Sequence, residues 1–590
     1  MKRLGLLVSI VMVASLLLSC ASPTPEIVEK VVTQVVTQVV KETVVQKEVV
    51  KETVVIEGTP QIVEKEVTKV VEVEKVVTAP PTPEPEPAVG GTLVIARQAE
   101  PPTLDAHLSV SGEDLNYIGA TLVTMGPEGD YVPYLAESWE VSEDSLTWDF
   151  KLREDVKFHD GTPLTAHDYA WTFQRVLDPE TKAAAAGSTF GPLVQLVSAE
   201  AADDYTLRLK LAWPSYSLLA ALDLPFMQPL SQAAVEQWGD QYGRHPVGVG
   251  PYKFKEWVTG EKIVLERNPD YTWGPEFADE GPLYIENIEM RFIPEIATIL
   301  AGLETGEIDH ADVPTKDVQR IRDTGQFQIF EWLLQGMTPG LFPNTSIPPF
   351  DDALVRRAFN LAVDREALIK IIVGEGNAVP QYGPISSSVG GYWPGVEYIG
   401  YGYNLEKAKA LMEEAGYTYN NDGMLEKDGE PFELELVFTP EFPDPNNSRI
   451  AEVLQQQWKA LGADVKLGQY EWGVLIGLAV SNEMELGLAG YNWWDAGLLA
   501  LFFRTGSAMN FSHYADPKMD EFLDLMQSTA DPQERQEWAN ETQKHLVEQA
   551  VVIPLYTPKV FAVLSNRVMG DVPLLPINRL WLNDLYLESK

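Results

Sequence analysis

The sequence predicts an exported α/β protein of several lobes, carried on an N-terminal stalk. Three observations support this prediction. The chain of 590 residues opens with a short apolar segment, continues through a low-complexity run, and after Gly90 alternates strand-like with helix-like segments. A chain of that length can bury several layers of core, and alternating strands and helices favour a mixed α/β architecture.

The first segment has the charge and length of a secretion signal. Lys2 and Arg3 precede the apolar run Leu4 to Leu18, which is short for a membrane-spanning helix. We therefore assign residues 1–19 to a signal peptide and expect export. Leu17-Leu18-Ser19-Cys20 resembles the bacterial lipobox, which implies lipidation of Cys20 and a lipid-anchored protein at the cell surface or in the periplasm.

Cys20 is the only cysteine in the chain. Disulfide bonds within the chain, zinc sites built from thiolates and cysteine-based catalysis in the globular part are thus excluded. We expect no metal and no cofactor.

The second segment, residues 20–88, is interpreted as a stalk and linker. From Ile27 to Thr78 pairs of valine are separated by Thr, Gln, Glu and Lys, and Ala79 to Ala88 contains five prolines. The repeat is compatible with a helix of roughly 80 Å or with an extended chain of at most about 170 Å. The pattern does not decide between the two, and either would act as a tether.

The net charge of −43 constrains the partners. A strongly acidic surface repels phosphate backbones and anionic headgroups, so nucleic-acid binding and membrane docking other than through the lipid are disfavoured. The charge would mildly favour cationic ligands, or it would simply keep a secreted protein soluble.

Local patterns after Gly90 predict particular strands and helices. Apolar alternation or β-rich runs predict strands at Leu93–Ala96, Leu146–Leu152, Tyr205–Leu211 and Lys262–Glu266. Capping residues predict helices from Thr165 to Leu177 and from Asn404 to Ala415, the second ending at Gly416. A strand at Phe432–Phe438, a helix at Ser448–Leu461 and a strand at Ala463–Leu467 form a βαβ unit with parallel pairing.

Several segments in order resemble the family 5 extracellular solute-binding proteins, the oligopeptide and dipeptide receptors of ABC importers. The clearest is AESWEVSEDSLTWDFKLREDVKFHDGTPLTAHDYAWTFQRVL at Ala136 to Leu177. The others are VGVGPYKFKEW at Val247 to Trp257, ERNPDY at Glu266 to Tyr271, LETGEIDHADV at Leu303 to Val313, PPFDDALVRRAFNLAVDREALI at Pro348 to Ile369 and VVIPLY at Val551 to Tyr556. The likeness covers about Gly90 to Lys590.

This resemblance implies a hinged, two-lobed periplasmic-binding-protein-like fold of the class II type, with the extra subdomain of peptide-binding members. We expect a first lobe from residues 89–334 and 553–590, with its subdomain at about 118–197, and a second lobe from 335–552. Two crossings, near Trp332 to Gly336 and near Val551 to Pro554, would act as the hinge. The lobes would close around a peptide, and an ABC permease would recognise the closed state.

Two segments are candidates for ligand contact by the same resemblance. A Gly-Trp-x-x-Asp segment of peptide-binding members supplies an aspartate for the ligand ammonium; its counterpart here is Gly490-Tyr491-Asn492-Trp493-Trp494-Asp495, one residue longer. Asp495 is therefore the predicted ammonium partner, with a capping or surface aspartate as the alternative. The second strip follows Leu104-Asp105-Ala106-His107 and comprises Ser109, Val110, Ser111 and Gly112, which would pair with the ligand backbone.

Four tryptophans suggest an alternative class of ligand. Trp493 and Trp494, with Trp472 and Trp393, would suit stacking on sugar rings, so an oligosaccharide receptor of the same family is the second candidate; large rings also serve as core. An enzyme is disfavoured because no Gly-x-Ser-x-Gly, P-loop or His-Glu-x-x-His motif is present, which leaves a secreted glycoside-processing enzyme or a purely structural surface protein as minor alternatives. His159 and His167 are eight residues apart on a turn and a following helix, which disfavours a metal site.

Overall fold

The computed structural model describes residues 37–56, 59–78, 88–109, 112, 114–183, 186, 194–278, 283–440, 444–529, 531–570 and 581–588. The chain divides into two units, Met1–Glu86 and Pro87–Lys590. Cys20, the signal peptide, Val110 and Ser111 lie outside the described residues. Within the described part, none of the helices combines the length and the apolar character needed to cross a membrane.

The first unit contains a long β-hairpin. Strand β1 (Thr37–Ile56) pairs antiparallel with β2 (Thr59–Thr78), in a register that runs from Thr37 opposite Thr78 to Ile56 opposite Thr59. The backbone of these strands is extended, and the chain folds back on itself. Twenty residues at about 3.3 Å each reach about 66 Å, well short of the fully extended length.

Elements of the second unit that precede residue 334 are as follows. The strands are β3 (Thr92–Arg97), β4 (Val123–Met125), β5 (Tyr131–Pro133), β6 (Ala136–Val141), β7 (Thr147–Leu152), β8 (Leu196–Asp203), β9 (Thr206–Leu211), β10 (Tyr252–Val258), β11 (Lys262–Arg267), β12 (Asn287–Phe292), β13 (His310–Asp312) and β14 (Phe327–Leu333). The α-helices are α1 (Leu115–Ile118), α2 (Ala166–Leu177), α3 (Ser217–Leu222), α4 (Gln232–Trp238), α5 (Ile296–Thr305) and α6 (Thr315–Thr324).

The remaining elements lie between residue 335 and the C-terminus. The strands are β15 (Met337–Pro343), β16 (Ala378–Pro380), β17 (Thr418–Tyr419), β18 (Leu425–Lys427), β19 (Glu430–Pro431), β20 (Glu433–Phe438), β21 (Asp464–Gln469), β22 (Leu486–Tyr491), β23 (Ile553–Pro554), β24 (Tyr556–Ser565), β25 (Val568–Met569) and β26 (Tyr586–Leu587). The α-helices are α7 (Ala353–Leu361), α8 (Arg365–Ile372), α9 (Val396–Ile399), α10 (Leu405–Glu414), α11 (Asn447–Leu461), α12 (Trp472–Val480), α13 (Leu498–Phe503), α14 (Pro517–Ser528) and α15 (Pro532–Glu548).

Two sheets organise two lobes. An eight-stranded sheet has the order β10-β11-β12-β3-β13-β24-β14, with β16 paired to β24, and a five-stranded sheet has the order β21-β20-β22-β15-β23. A separate four-stranded sheet, β6-β7-β9-β8, belongs to the part of the chain before residue 334. The chain passes from the larger sheet to the smaller between β14 and β15 and returns between β23 and β24. The predicted mixed α/β, two-lobed fold is confirmed.

The helix at residues 166–177 shows why local signals predicted it. The Asp168 carboxylate accepts the backbone N–H of Thr165 at 2.9 Å, which forms one arm of the predicted capping box. Tyr169, Phe173 and Val176 are buried at spacings of three and four residues, which places one apolar face against the core.

The predicted βαβ unit is also confirmed. Strands β20 and β21 pair in parallel, with Glu433 opposite Asp464 and Phe438 opposite Gln469. The intervening helix α11 ends at Gly462, which has φ +97° and a left-handed conformation that glycine tolerates best.

A buried ion pair anchors the larger sheet. Asp309, in the GEID segment between α5 and β13, forms an ion pair with Arg567, and its carboxylate accepts the N–H of Val94 at 2.8 Å. Arg567 also donates to the carbonyl of Thr92 at 3.0 Å. Since the Asp309 side chain is only 1% exposed, these contacts satisfy a charge that would otherwise be costly to bury.

Candidate functional site

The predicted ligand segment follows strand β22 of the smaller sheet. Tyr491, the last residue of β22, lies opposite Met337 of β15. Beyond it, Gly390 braces the loop, since its N–H donates to the carbonyl of Trp494 at 2.9 Å and its carbonyl accepts from Ala496 at 2.8 Å. The loop is therefore held by two backbone hydrogen bonds to Gly390, which forms an isolated β-bridge with Asp495.

Gly336, at the first crossing between the sheets, packs directly against this loop. Its φ is +103°, and an added Cβ would lie 2.1 Å from the carbonyl oxygen of Tyr491 and 2.6 Å from the amide nitrogen of Trp493. Only glycine fits both the backbone conformation and the space. The crossing and the candidate site are thus mechanically connected.

Asp495 lies at the end of the loop with its carboxylate fully engaged by the protein. Its Oδ1 accepts from the hydroxyl of Ser217 at 2.9 Å and from the N–H of Gly497 at 2.8 Å. Its Oδ2 forms an ion pair with Arg535 of helix α15. The side chain is 8% exposed, so the carboxylate is buried and compensated by neighbouring donors. Its predicted contact with a ligand ammonium stays a prediction.

The hydroxyl bonded to Asp495 comes from the part of the chain before the first crossing. Ser217 opens helix α3, which precedes the first crossing, whereas Asp495 follows it. Next to this bond, the N–H of Tyr216 donates to the carbonyl of Gln527 at 3.2 Å, and the amide of Gln527 donates to the carbonyl of Gly497 at 3.2 Å. The bond between Ser217 and Asp495 and the bond between Tyr216 and Gln527 therefore join the parts of the chain on either side of the first crossing.

Tyr131 of strand β5, also from before the first crossing, is an electrostatic neighbour of Asp495. Burial raises the pKa of Tyr131 well above its ordinary value, and the carboxylates of Asp495 and Asp223 raise it further. The phenol therefore stays protonated and acts as a hydrogen-bonding group rather than as a base. Asp223, which follows helix α3, is fully buried.

The aromatic candidates occupy different environments. The rings of Trp493 and Trp494 stack, with centroids 5.0 Å apart and planes 12° apart, and Trp493 is only 3% exposed. Trp472 is half-buried and meets the ring of Phe511 edge-on, with centroids 6.4 Å apart. These contacts are with other protein rings, as in a packed core.

Three other candidates, Tyr491, Asn492 and Trp393, have different surroundings. Asn492 is exposed, whereas the ring of Tyr491 packs on Phe502 with centroids 5.7 Å apart. Trp393 is half-buried, and its backbone N–H donates to Oε1 of Gln543 at 3.1 Å. The structure thus brings Trp493, Trp494 and Asp495 together and leaves Trp393 in contact with helix α15.

The described part of the second candidate strip is engaged in a turn. The N–H of Ser109 donates to the carbonyl of Asp105 at 2.9 Å, and Ser109 is fully buried. The carbonyl of Gly112 accepts from Leu115 at 3.2 Å. The contact of this strip with a ligand backbone stays a prediction.

The motif before the strip forms a polar cluster. The carboxylate of Asp105 accepts two bonds from Arg175, at 2.7 and 3.1 Å, and the same guanidinium donates to Nδ1 of His107 at 2.7 Å. Burial lowers the pKa of His107 to about 3, and the charge of Arg175 acts in the same direction. The ring is neutral, which fits its role as an acceptor in the fold.

The two histidines considered for a metal site make different contacts. His159 bridges backbone groups, with Nε2 3.0 Å from the carbonyl of Gly250 and Nδ1 3.3 Å from the N–H of Gly248. His167 is exposed and lies 3.4 Å from Asp204. Within the described ranges, no cluster of three or more His, Cys, Asp or Glu side chains is arranged for a metal ion.

Sequence reasoning missed the partners of Asp495. Its side-chain partners are Ser217 and Arg535, while Gln527 bonds to Ser217 and Gly497 beside it and Tyr131 is its electrostatic neighbour; these four residues come from four separate elements. Arg535 is 40 residues from Asp495 in the chain and Ser217 is 278 residues away. No local motif marks either residue.

Comparison with known proteins identifies the family. The model of the bacterial extracellular solute-binding proteins, family 5 (middle), matches residues 130–509, which is more than half of the chain. The periplasmic oligopeptide-binding protein OppA of Salmonella typhimurium is 26% identical over 531 residues, covering 84% of this chain and 92% of that protein.

Solved structures show the same fold. The oligopeptide-binding protein AppA of Bacillus subtilis, solved in complex with a nonapeptide, is 25% identical with a TM-score of 0.65, covering 85% of this chain and all of that one. The periplasmic binding protein DppA of Helicobacter pylori, solved in complex with the peptide STSA, is 27% identical with a TM-score of 0.66, covering 85% and 99%. The chain belongs to the bacterial extracellular solute-binding proteins of family 5.

Proposed function

We propose that this protein is the extracytoplasmic receptor of an ABC importer that binds a peptide between its lobes and delivers it to the permease. The observation that carries this proposal is the family match together with relatives solved in complex with peptides. The location outside the cytoplasm follows from the family. The receptor performs no chemistry on its ligand.

We place the ligand next to the loop that ends at Asp495. There the second lobe meets Ser217 and Tyr131 of the first lobe, so a guest in this region would contact both. Burying a ligand against both lobes would favour the closed state over the open one. We propose the lobe boundaries 89–334 plus 553–590 and 335–552, with Trp494, Trp493, Tyr491 and Asn492 beside the ligand. The strip Ser109 to Gly112, together with Trp472 and Trp393, completes the proposed set.

We propose that lipidation of Cys20 anchors the mature protein. The prediction rests on the lipobox-like segment alone. Changing Cys20→Ser should release the protein into the soluble extracytoplasmic fraction without changing ligand affinity. Retention of the variant in the membrane fraction would contradict the anchor.

The oligosaccharide alternative has weaker support. Stacking on a sugar needs an accessible indole face, but Trp493 is buried and shares a face with Trp494. We therefore keep peptides as the proposed ligand class. A thermal-shift panel of peptides against cello-, xylo- and manno-oligosaccharides tests the choice, because only a bound class raises the melting temperature.

Native mass spectrometry of the purified protein tests the function directly. A copurifying or added peptide should appear as a bound mass. Asp495→Ala should weaken peptide binding roughly 10- to 100-fold, because it removes the acceptor of the Ser217 hydroxyl, and a hydrogen bond to a charged group contributes about 1.5 to 3 kcal/mol. Asp422→Ala, a change at an exposed aspartate of the same lobe, is the control and should bind normally. Binding of sugars but not of peptides would refute the proposed ligand class.

A further inference from the structure

The Asp495 carboxylate already has a cationic partner within the protein. The guanidinium of Arg535 forms an ion pair with Oδ2, on the side opposite the Ser217 hydroxyl. The Arg535 side chain is 23% exposed, so the guanidinium is partly accessible while the carboxylate is not. Arg535 therefore lies on the open side of the pair.

The position of Arg535 in its helix does not favour a cation. Arg535 is the fourth residue of α15, close to the N-terminal end, where the helix dipole favours negative charge. Its backbone N–H donates to Asp531 at 2.9 Å as part of the helix, and the ring of Tyr216 lies 5.9 Å from the guanidinium carbon. Among these neighbours, Asp495 supplies the compensating charge.

This arrangement changes what an ammonium group gains at the site. An ammonium that reached Asp495 would exchange one ion pair for another, and it would leave the guanidinium in need of a new partner. The binding free energy that the ammonium gains is therefore only the difference between two similar ion pairs. At an aspartate without an internal cation, the ammonium would gain the whole interaction. A ligand without a free amine therefore loses little binding free energy compared with a ligand that has one.

We propose that Arg535 is a specificity-determining residue: it acts as an internal counter-ion that a ligand ammonium must displace, so the receptor discriminates little between peptides with free and with blocked N-termini. This inference rests on the proposed peptide function and assigns the role that Asp495 and Arg535 play together in it. The ligand class that follows is peptides anchored mainly by their backbone and side chains.

The test compares two forms of one probe. A random library of peptides from three to nine residues is offered with free amines and with N-acetylated ends, and bound masses are counted by native mass spectrometry. For the wild type, the ratio of free to acetylated peptide bound should lie within threefold of one. Arg535→Gln removes the competing cation and should raise the ratio at least tenfold in favour of the free amine.

Two further variants separate specificity from folding. Arg535→Lys keeps a cation and should keep the ratio near that of the wild type. Arg504→Gln is the matched control, because Arg504 belongs to the same lobe and pairs with the exposed carboxylate of Asp524. A wild type that prefers free amines tenfold or more, or an Arg535→Gln ratio equal to that of the wild type, would overturn the proposal.

If no peptide binds, a measurement without ligand still tests whether Arg535 is the counter-ion of Asp495. That outcome would reject the proposed function, and the guanidinium resonances of 15N-arginine-labelled protein would then decide the counter-ion role. Arg535 should give a signal protected from solvent exchange in the wild type, and Asp495→Asn should abolish it. A freely exchanging Arg535 signal in the wild type overturns the inference whatever the peptides do.

Discussion

Replacing Gly497 by alanine puts a methyl group where the two lobes touch. The added Cβ would lie 1.8 Å from the hydroxyl oxygen of Ser217, 2.7 Å from Oδ1 of Asp495 and 2.8 Å from the amide nitrogen of Gln527. The backbone itself tolerates alanine, since φ is −57° and ψ is −21°. The effect of the substitution is therefore steric and is confined to the contact between the lobes.

The magnitude follows from the bond that the methyl group displaces. The Ser217 hydroxyl must leave Oδ1 of Asp495, and a hydrogen bond to a charged group contributes about 1.5 to 3 kcal/mol. Because about 1.4 kcal/mol corresponds to a factor of ten, the ratio of closed to open molecules should fall roughly 10- to 100-fold. Peptide affinity should fall with the fraction of molecules that can close.

Spin labels on the two lobes report this change. The single native cysteine, Cys20, is replaced by serine, and one new cysteine is placed at an exposed position of each lobe, at Asp240 and at Glu430. Electron–electron distance distributions without ligand should shift to longer distances in Gly497→Ala. The matched control is Gly473→Ala, because an added Cβ there has no atom within 4 Å. Identical distributions and identical peptide affinity in Gly497→Ala and the wild type would refute the reasoning.

Three further predictions concern stability. Arg567→Ala should lower the free energy of unfolding by about 3 to 5 kcal/mol in urea, because it leaves a buried carboxylate unpaired, whereas Arg153→Ala, at an exposed pair, should cost less than about 1 kcal/mol. Gly336→Ala should destabilise by at least about 1 kcal/mol more than Gly376→Ala; both glycines have positive φ, but only Gly336 is crowded. Burial lowers the pKa of His159 from 6.5 to about 4. Between these pH values the folded state binds fewer protons than the unfolded state, so the free energy of unfolding should decrease as the pH falls from 6.5 towards 4. His159→Gln should flatten that decline in melting temperature, and equal slopes would contradict the assignment.

Local patterns predicted local structure well. The helix that starts after Thr165 and the βαβ unit around Gly462 were predicted to within two residues, because caps, apolar periodicity and a terminating glycine all lie within about fifteen residues of chain. The conformation of residues 37–78 did not follow from their pattern. Valine pairs separated by polar residues fit a helical face as well as an extended strand, and only pairing between β1 and β2 distinguishes them.

The contacts at the candidate site could not be predicted from such local patterns. The segment that ends at Asp495 was found through its resemblance to a family motif, yet its ionic partner Arg535 belongs to a helix 40 residues later. Ser217 is 278 residues earlier, in a run that reads only as an apolar helix. Neither contact leaves a periodic trace, because the Arg535 contact depends on tertiary packing within the proposed second lobe and the Ser217 contact on packing between the two proposed lobes.

Asp495 divides its two oxygens between two tasks, and substitutions can separate them. Oδ1 joins the lobes through Ser217, whereas Oδ2 neutralises Arg535. Asparagine keeps an acceptor for the hydroxyl but loses the charge, so Asp495→Asn should keep the distance between the lobes near that of the wild type and release the guanidinium. Ser217→Ala should do the opposite.

Spin-label distances and the exchange of the Arg535 guanidinium, measured on the same two variants, check this separation. Asp495→Ala should change both, because it removes both oxygens at once. If Asp495→Asn opened the lobes as far as Asp495→Ala does, the negative charge rather than the hydrogen bond would hold them together, and the two tasks could not be assigned to separate oxygens.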